Sequence, residues 1–267
     1  MAEKQLGGSA MFVEERQRRI LTVLQRERRV SVTDLSERFK MSPSTLRNDL
    51  RDMEARGLVQ RTHGGAVLPE SQASDEPVTI TGLSACEEKR AIGVRAAEFV
   101  HDGEAIFVDN GATAMAFAQA LTDKRDLTIV TADLPIATYA GEHLSGCNVI
   151  VLGGSLRAGF TFTTGAVALA AAQLMNVSTA FFGATGFTLE RGFSVSTPDG
   201  AELKRVMLQN SLRRVMMVDS HKFGSNAAVS YATLSEANVL ITDTGISDRD
   251  RVAIESMVEG PSLVVVS

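Results

Sequence analysis

Two hydrophobic patterns divide the chain. In roughly the first quarter, apolar residues recur every three or four positions, the spacing of helices that bury one face. From Cys86 onward, short continuous apolar runs alternate with helical patterns, as in sheets whose strands are buried on both faces. A polar, proline-bounded segment at 69–84 separates them and is typical of a linker. The pattern predicts domains at 11–68 and 85–267, after a flexible extension at 1–10.

The first domain is predicted to contain three helices and a hairpin. They are expected at Glu15–Arg26, Val32–Phe39, from Pro43 onward, and at Leu58–Leu68 with a Gly64-Gly65 turn. In the third helix, Leu46, Leu50 and Met53 recur at i, i+4 and i+7 and form a buried stripe. Ser42 can cap this helix, because its side chain can accept a free backbone N–H of the first turn. Three helices and a hairpin predict a winged helix-turn-helix.

The outward face of the third helix carries side chains that fit DNA. Small hydroxyls, an amide and guanidiniums bind base edges and phosphates in a major groove. The candidate DNA-binding residues are Ser42, Ser44, Thr45, Arg47, Asn48 and Arg51 on the helix, and Arg61 and His63 on the hairpin. Arginines alone would indicate only a solvated helix face. A basic hairpin beside them, able to reach phosphates or a minor groove, favours binding to double-stranded operator DNA.

The charge is unevenly distributed between the two domains. The whole chain has a net charge of −5, but residues 11–68 hold 12 Lys and Arg against 8 Asp and Glu. Residues 69–267 hold 14 against 23. A basic N-terminal domain followed by an acidic remainder is typical of a regulator that contacts DNA through one domain.

The second domain is predicted to be an α/β domain with a mainly parallel sheet. Its apolar runs are Ala105–Asp109, Leu127–Thr131, Asn148–Leu152, Thr179–Gly183, Val215–Asp219, Val239–Thr242 and Ser262–Val266. Its helical patterns include Glu88–Val100, Thr113–Leu121, Leu134–Leu144, Val167–Met175 and Ala201–Arg213. In such sheets, ligands bind beyond the carboxyl ends of the strands. The residues that end each run are therefore the candidates for a ligand site.

One strand end has features of an anion site. Gly111, Ala112 and Thr113 lie between a strand and a helix, where free backbone N–H groups and a hydroxyl can bind phosphate. The candidate effector-binding residues are Asp109, Asn110, Gly111, Ala112, Thr113, Thr131, Asp133, Gly153, Gly154, Glu202, Lys204 and Lys222. The alternatives remain open: the glycines can serve only as turn or close-approach residues, and the charged groups as surface salt-bridge partners.

The helix and hairpin motifs resemble those of a known family. Ser44-Thr45-Leu46-Arg47-Asn48-Asp49-Leu50, followed by Glu54, Gly57, Arg61 and His63-Gly64-Gly65-Ala66, is similar to the signature of the DeoR family of bacterial sugar-metabolism repressors. The chain departs from the family pattern at Asn48, where a second arginine is usual. That departure concerns the operator sequence and not the mode of binding.

The resemblance implies that the second domain is a sensor similar in fold to ribose-5-phosphate isomerases. In that comparison, Asp109–Thr113 corresponds to the isomerase phosphate loop and Thr131–Asp133 to a second polar turn. Glu202 with Lys204, and Asp219–Lys222, correspond to further isomerase site residues. Gly183–Phe187 has no carboxylate where the isomerases have two aspartates and a glutamate, and enolisation needs a positioned base. The expected protein is therefore a repressor of a carbohydrate-catabolism operon, controlled by a phosphorylated sugar that it does not convert.

Other classes of protein are disfavoured by the sequence. No apolar run reaches the ~18 residues of a membrane helix, and the start of the chain has no apolar signal core, so we expect a cytoplasmic protein, nucleoid-associated on its operator. Two cysteines and four histidines without ligand spacing predict no metal and no cofactor. We expect a homodimer or homotetramer. The alternative function is an isomerase-like enzyme with accessory DNA binding.

Overall fold

The computed structural model describes residues 13–27, 29–55, 58–62, 64–67 and 87–267. The chain divides into two compact units between Ala73 and Ser74. This division falls within the segment expected to be a linker. The predicted extension at 1–10 and the predicted linker at 69–84 both lie outside the described residues.

The N-terminal unit consists of three helices and a small sheet. Its elements are α1 Val13–Glu27, β1 Arg29–Ser31, α2 Val32–Phe39, α3 Pro43–Ala55, β2 Gln60–Thr62 and β3 Gly65–Val67. Leu46, Leu50 and Met53 of α3 are buried in the core of this unit, as the i, i+4, i+7 spacing predicts. The strands pair antiparallel in the order β1-β3-β2. The predicted winged helix-turn-helix is confirmed.

Strand β1 was not predicted, and it explains the second glycine of the hairpin. Val30 in β1 pairs with Ala66 in β3. A Cβ on Gly65 would lie 1.9 Å from the Val30 carbonyl oxygen, so only glycine allows the strands to approach this closely. The wing is thereby joined to the helical core by a third strand.

The C-terminal unit is an α/β domain. Its first half contains α4 Glu87–Ala97, β4 Ala105–Val108, α5 Ala112–Gln119, β5 Thr128–Thr131, α6 Leu134–His143, β6 Asn148–Val151, β7 Ser155–Leu156, β8 Thr163–Thr164 and α7 Ala166–Gln173. Its second half contains β9 Val177–Phe182, β10 Gly186–Thr188, β11 Gly192–Val195, α8 Pro198–Gln209, β12 Ser211–Met217, β13 Val229–Ala232, β14 Val239–Asp243, α9 Asp248–Glu255 and β15 Ser262–Val266.

Seven strands form one parallel sheet in the order β15-β14-β12-β9-β4-β5-β6. All seven predicted apolar runs contribute to it, which confirms the fold class. Side chains from both faces of the sheet are buried. In β9, for example, the neighbours Phe181 and Phe182 are both fully buried but belong to different core clusters, one on each face. Successive strand residues point to opposite faces, so a continuous apolar run is what a sheet covered on both sides requires.

The strand order reverses between β4 and β9. From β4 the chain builds outward through β5 and β6, and it then returns to place β9 on the other side of β4. In open α/β sheets, a crevice for ligands forms where the order reverses, beyond the carboxyl ends of the strands. The residues after β4 and β9 therefore mark the expected site.

Some elements differ from the prediction. Residues 211–213 were predicted to end a helix but begin β12, where Ser211 pairs with Val177 and Arg213 with Thr179. The start of this strand was missed because Arg213 and Arg214 interrupt the apolar run. Its conformation is determined by pairing with β9. The antiparallel sheet β10-β11-β13, the β7–β8 hairpin and α9 were also not predicted.

Candidate DNA-binding surface and effector site

The N-terminus of α3 is capped as predicted. Ser42 Oγ accepts the backbone N–H of Thr45 at 3.2 Å. The same oxygen lies 2.8 Å from the hydroxyls of both Ser44 and Thr45. Three hydroxyls therefore cluster where the positive end of the helix favours a phosphate.

The predicted contact residues share one face of α3. Arg47, Asn48 and Arg51 are exposed, as are Ser42 and Ser44, and Thr45 is half-buried. The buried stripe on the opposite side fixes this orientation, since it anchors α3 in the core. The helix therefore presents two guanidiniums, an amide and hydroxyls to solvent, a set of groups that can bind a major groove.

A buried ion pair anchors the same helix from behind. Arg16 Nε and Nη2 donate to the two carboxylate oxygens of Asp49 at 2.5 and 2.9 Å, and both residues are nearly inaccessible. Sequence reasoning gave Asp49 no role. Its position among Leu46, Leu50 and Met53 is a signal that could have found it, because an acid on a buried stripe needs a partner.

The wing is held by the end of α3. The backbone N–H of Arg61 donates to Glu54 Oε1 at 3.0 Å, and the Arg61 guanidinium lies 3.7 Å from Glu54 Oε2. Both side chains are well exposed, so this ion pair is weak. Arg61 is therefore oriented by Glu54 and still accessible to a phosphate. His63, the other predicted wing contact, lies outside the described residues.

In the C-terminal unit, Asp109 joins the two strands at which the sheet order reverses. Asp109 follows β4, and its Oδ2 accepts the backbone N–H of Gly183, just after β9, at 2.8 Å. The same oxygen accepts Lys204 Nζ from α8. Asp109 and Lys204 are both almost completely buried. The two predicted site residues are therefore brought together, and they satisfy each other.

Tyr231 completes this cluster. Lys204 Nζ lies 3.3 Å from the Gly183 carbonyl oxygen and 5.4 Å from the centre of the Tyr231 ring. The Tyr231 hydroxyl donates to the Gly183 carbonyl at 2.8 Å. Burial, together with the nearby Asp109 carboxylate, raises the pKa of Tyr231 well above its ordinary value. Tyr231 is thus a neutral hydrogen-bond donor at physiological pH, and sequence reasoning missed it.

The predicted anion loop precedes α5. Gly111 has a φ of +103°, and a Cβ there would meet no other atom within 4 Å, so the glycine is required by the backbone conformation. It is the N-cap of α5 and provides no side-chain cap for the free N–H groups. Ala112 and Thr113 follow it and are half-buried. The loop therefore leaves the N–H groups of Ala112 and Thr113, at the start of α5, for an anion.

Asp133 connects this loop to the next one. Its Oδ1 accepts the N–H of Ile136 at 2.9 Å and caps α6, and its Oδ2 lies 3.4 Å from the N–H of Gly111. Thr131 Oγ1 accepts the Asp133 N–H at 3.1 Å. Desolvation raises the pKa of the Asp133 carboxyl to about 6, against the lowering effect of these hydrogen bonds. Asp133 therefore titrates much closer to neutral pH than an ordinary aspartate.

A cavity of about 250 Å³, mouth included, opens beside the Asp109–Lys204 pair. The enclosed space is only about 10 Å³, room for roughly one water molecule. In this conformation the cavity is therefore far below the roughly 300–1,000 Å³ of most small-molecule pockets. The lining residues are Val108, Asp109, Asn110, Ala132, Phe162, Gly200, Leu203, Lys204 and Met207. Asp109, Asn110 and Lys204 were predicted site residues. The apolar wall formed by Phe162, Leu203 and Met207 was missed, because it comes from the β7–β8 hairpin and the inner face of α8.

Other predicted site residues lie elsewhere. Glu202 is exposed on α8; two helical positions correspond to about 200°, so it points away from Lys204 and does not line the cavity. A Cβ on Gly154 would lie 2.4 Å from the Thr164 carbonyl oxygen, which gives Gly154 a close-approach role. Gly153 beside it has a φ of +69°. Lys222 lies in a 3₁₀ turn and is not among the lining residues.

Two further features concern metal ions and membrane-spanning helices. In the parts of the chain that the structure describes, no group of three His, Cys, Asp or Glu side chains is arranged to hold a metal ion. Among the helices of those same parts, none is both long and apolar enough to cross a bilayer.

Curated proteins similar to this chain are regulators by name. GlpR of Haloferax volcanii, an HTH-type transcriptional regulator, is 31% identical over 92% of this chain and 96% of that protein. GlcR of Bacillus subtilis, an HTH-type transcriptional repressor, is 30% identical over 87% and 89% of the two chains. The glycerol-3-phosphate regulon repressor of Escherichia coli is 30% identical over 86% and 90%.

Solved structures resemble the chain only remotely. Ribose 5-phosphate isomerase A from Neisseria gonorrhoeae has a TM-score of 0.38 and 18% identity over 51% of this chain and 53% of that one. A translation initiation factor eIF-2B from Pyrococcus horikoshii has a TM-score of 0.42 and 16% identity over 83% and 76%. These likenesses concern the fold alone.

Family models match both units of the chain. A DeoR-like helix-turn-helix domain matches residues 16–72, and a DeoR C terminal sensor domain matches residues 84–244. The second match alone covers more than half of the 267 residues. The chain therefore belongs to the DeoR family, with a DeoR-like helix-turn-helix domain followed by a DeoR C-terminal sensor domain.

Proposed function

We propose that the protein is a repressor of a carbohydrate-catabolism operon that binds double-stranded operator DNA through α3 and the wing. The observation that carries this proposal is the exposed face of α3, with Arg47, Asn48 and Arg51 held outward by a buried stripe and a buried ion pair. Arg61 on the wing extends the basic surface. Family members named as repressors support the same reading. On its operator, the protein would be nucleoid-associated in the cytoplasm.

A phosphorylated sugar is the effector that the sensor domain fits best. Ala112 and Thr113 offer N–H groups at a helix N-terminus for the phosphate. The adjoining cavity offers Asn110 for hydroxyl groups, with Phe162 as an apolar wall for a ring or chain. Because the cavity is small, binding would require the β7–β8 hairpin, which carries Phe162, to move outward.

The proposed site binds without turnover. Gly183–Phe187 contains no carboxylate, and Asp109 is committed to Lys204 and the Gly183 N–H. A proton-abstracting base must be within hydrogen-bond reach of the substrate in an accessible form. The alternative, an isomerase-like enzyme, would need Asp133 as its base, since burial brings the pKa of Asp133 to about 6.

The test combines DNA and ligand binding in one preparation. Sites protected on genomic DNA would be found by footprinting, and fluorescence anisotropy on the strongest site would follow release by a panel of sugar phosphates. A ligand at a hundredfold excess over its Kd stabilises the protein by about 2.7 kcal/mol, which thermal unfolding detects. Absence of specific footprints would overturn the repressor proposal. Isomerisation of the bound sugar phosphate, followed by NMR, would favour the enzyme.

A further inference from the structure

Helix α7 combines an uncharged sequence with an exposed position. No charged residue or histidine occurs between Arg157 and Glu190, a stretch of 32 residues in a chain that is 22% charged. Helix α7 lies in the middle of this stretch. Its outer side exposes Val167 to 63%, and Leu174, its C-cap, is exposed to 80%. We call the exposed residues Ala166, Val167, Ala170, Gln173 and Leu174 the α7 face.

Helix α5 shows what such a sequence normally requires. It is also uncharged and mainly apolar, and its residues Ala114–Ala118 are all buried, with α4 and α6 packed against it. A helix that is apolar on all sides belongs in an interior. In α7, only the inner side, with Ala168 and Ala172, reaches the core. The α7 face is therefore an uncharged and mainly apolar helix surface, with Gln173 as its one polar side chain, that lacks a cover within the described residues.

We propose that the α7 face is covered by the α7 face of a second copy of this chain, related by a two-fold axis. A two-fold axis brings a surface against itself, so like charges would oppose one another, and an uncharged surface avoids that repulsion. Ala166 and Ala170 lie one turn apart on one side of the helix. Their small side chains allow two helix axes to approach closely, with Val167 and Leu174 packing on either side.

A stable dimer needs a larger interface than helix α7 alone can provide. Each partner in a standard interface buries roughly 800 Å², whereas an eight-residue helix presents a face about 12 Å long and 10 Å wide. The segment 153–154 packs on α7, where a Cβ on Gly153 would lie 3.7 Å from Val167 Cγ1. Val151 and Leu156, on either side of that segment, are 43% and 53% exposed. They extend the apolar surface toward the free edge strand β6.

A charged protein surface would be a poorer occupant, because charged side chains facing the α7 face would lose water without gaining partners. A second copy also suits a protein that reads DNA, because a two-fold dimer presents two recognition helices to two half-sites. The inference concerns the surface of self-association and does not depend on the identity of the effector.

The test measures the mass of the full chain in solution by sedimentation equilibrium. Leu174→Glu, alone and with Val167→Glu, should weaken self-association by about a hundredfold, the effect of losing a central interface residue. Leu212→Glu is the matched control, since Leu212 is 84% exposed on β12, outside the α7 face. It should leave the mass unchanged. Circular dichroism would confirm that each variant is folded.

Cross-linking provides a readout that does not require a disruptive charge. Ala170→Cys, in a background with Cys86→Ser and Cys147→Ser, should form a disulfide-linked dimer under mild oxidation, because Ala170 lies in the middle of the α7 face, where the proposed two-fold axis brings the two helices within disulfide reach. Val258→Cys, at a fully exposed position elsewhere, should not. A monomeric wild type would overturn the proposal, as would a folded Leu174→Glu variant that keeps its mass, or an Ala170→Cys variant that fails to cross-link.

Discussion

The ammonium group of Lys204 is bound by the carboxylate of Asp109 beside the sensor cavity, and both side chains are buried. The pair links α8 to the end of β4 and, through the Gly183 N–H, to the end of β9. Neither group has a free charge to offer a ligand. Their first role is therefore to fix the geometry of the cavity wall where the strand order reverses.

This pair predicts a strong dependence of stability on both partners. Lys204→Met leaves the Asp109 carboxylate buried without its cation, which should cost about 3–5 kcal/mol of unfolding free energy. Adding Asp109→Asn should recover much of that loss, since an amide is less costly to bury than an unpaired charge. Both tyrosines, Tyr139 and Tyr231, lie in the sensor domain, and the chain has no tryptophan. Tyrosine fluorescence in a urea titration therefore reports on this domain alone.

The control for this experiment lies on the same helix. Glu202→Gln removes a charge from the exposed side of α8 and should change stability by less than about 0.5 kcal/mol. A Lys204→Met variant as stable as the wild type would show that Asp109 does not depend on the ion pair.

The sequence predicted the strands of the main sheet well for a specific reason. Strands such as β4 and β9 are covered on both faces, so nearly all of their side chains are buried and their sequences are uninterrupted apolar runs. The same logic failed for Ser211–Arg213 at the start of β12, where Leu212 is 84% exposed. That end of the strand gains its conformation from pairing with β9.

The candidate site was only partly predictable. Asp109 and Lys204 were recognised by their residue types and their positions at strand and helix ends. Their mutual pairing, and the contribution of Tyr231, depend on how β13 and α8 pack over the sheet. Glu202 was grouped with Lys204 because the two are close in sequence, but helical geometry separates them. Tertiary packing thus decided which of the predicted charges reach the cavity.

Operator binding is predicted to depend on Arg47. Its guanidinium is exposed on the outward face of α3 and can donate two hydrogen bonds to a guanine edge. Arg47→Ala should weaken operator binding by about 1–3 kcal/mol, measured by fluorescence anisotropy. Arg251→Ala, which removes the same charge from α9 of the sensor domain, is the control and should have little effect. Equal affinities of the two variants would remove Arg47 from the interface.

The wing should contribute electrostatically, whatever the DNA sequence. If Arg61 contacts a phosphate, Arg61→Ala should lower the slope of log affinity against log salt by about one unit. Glu54→Gln should not reproduce this effect, because it leaves the Arg61 charge in place and removes only its weak partner. A salt slope identical to that of the wild type in Arg61→Ala would place the wing off the DNA.

Asp133 predicts an unusual pH dependence of the stability of the sensor domain. Burial raises the pKa of its carboxyl from 3.8 to about 6 in the folded state, so between these pH values the folded protein binds more protons than the unfolded chain. Stability from this group must therefore fall as pH rises from about 4 to above 6. The difference between the two pKa values corresponds to a loss of about 3 kcal/mol over the whole titration. Burial and the nearby Asp109 disfavour the charged form of Asp133, and they outweigh the N–H groups of Ile136 and Gly111, which favour it.

Asp133→Asn isolates this contribution, because asparagine also caps helices well and does not titrate. The difference in unfolding free energy, wild type minus variant, should fall by about 2.5 kcal/mol between pH 4 and pH 7.5, measured by urea titrations with tyrosine fluorescence. Subtraction cancels the other carboxylates, which are common to both proteins. The change should be centred between pH 4 and 6, and the difference should be constant above that range. A difference that does not vary with pH would show that Asp133 titrates as an ordinary exposed aspartate, and a difference that rises with pH would show that its hydrogen bonds to Ile136 and Gly111 outweigh its burial.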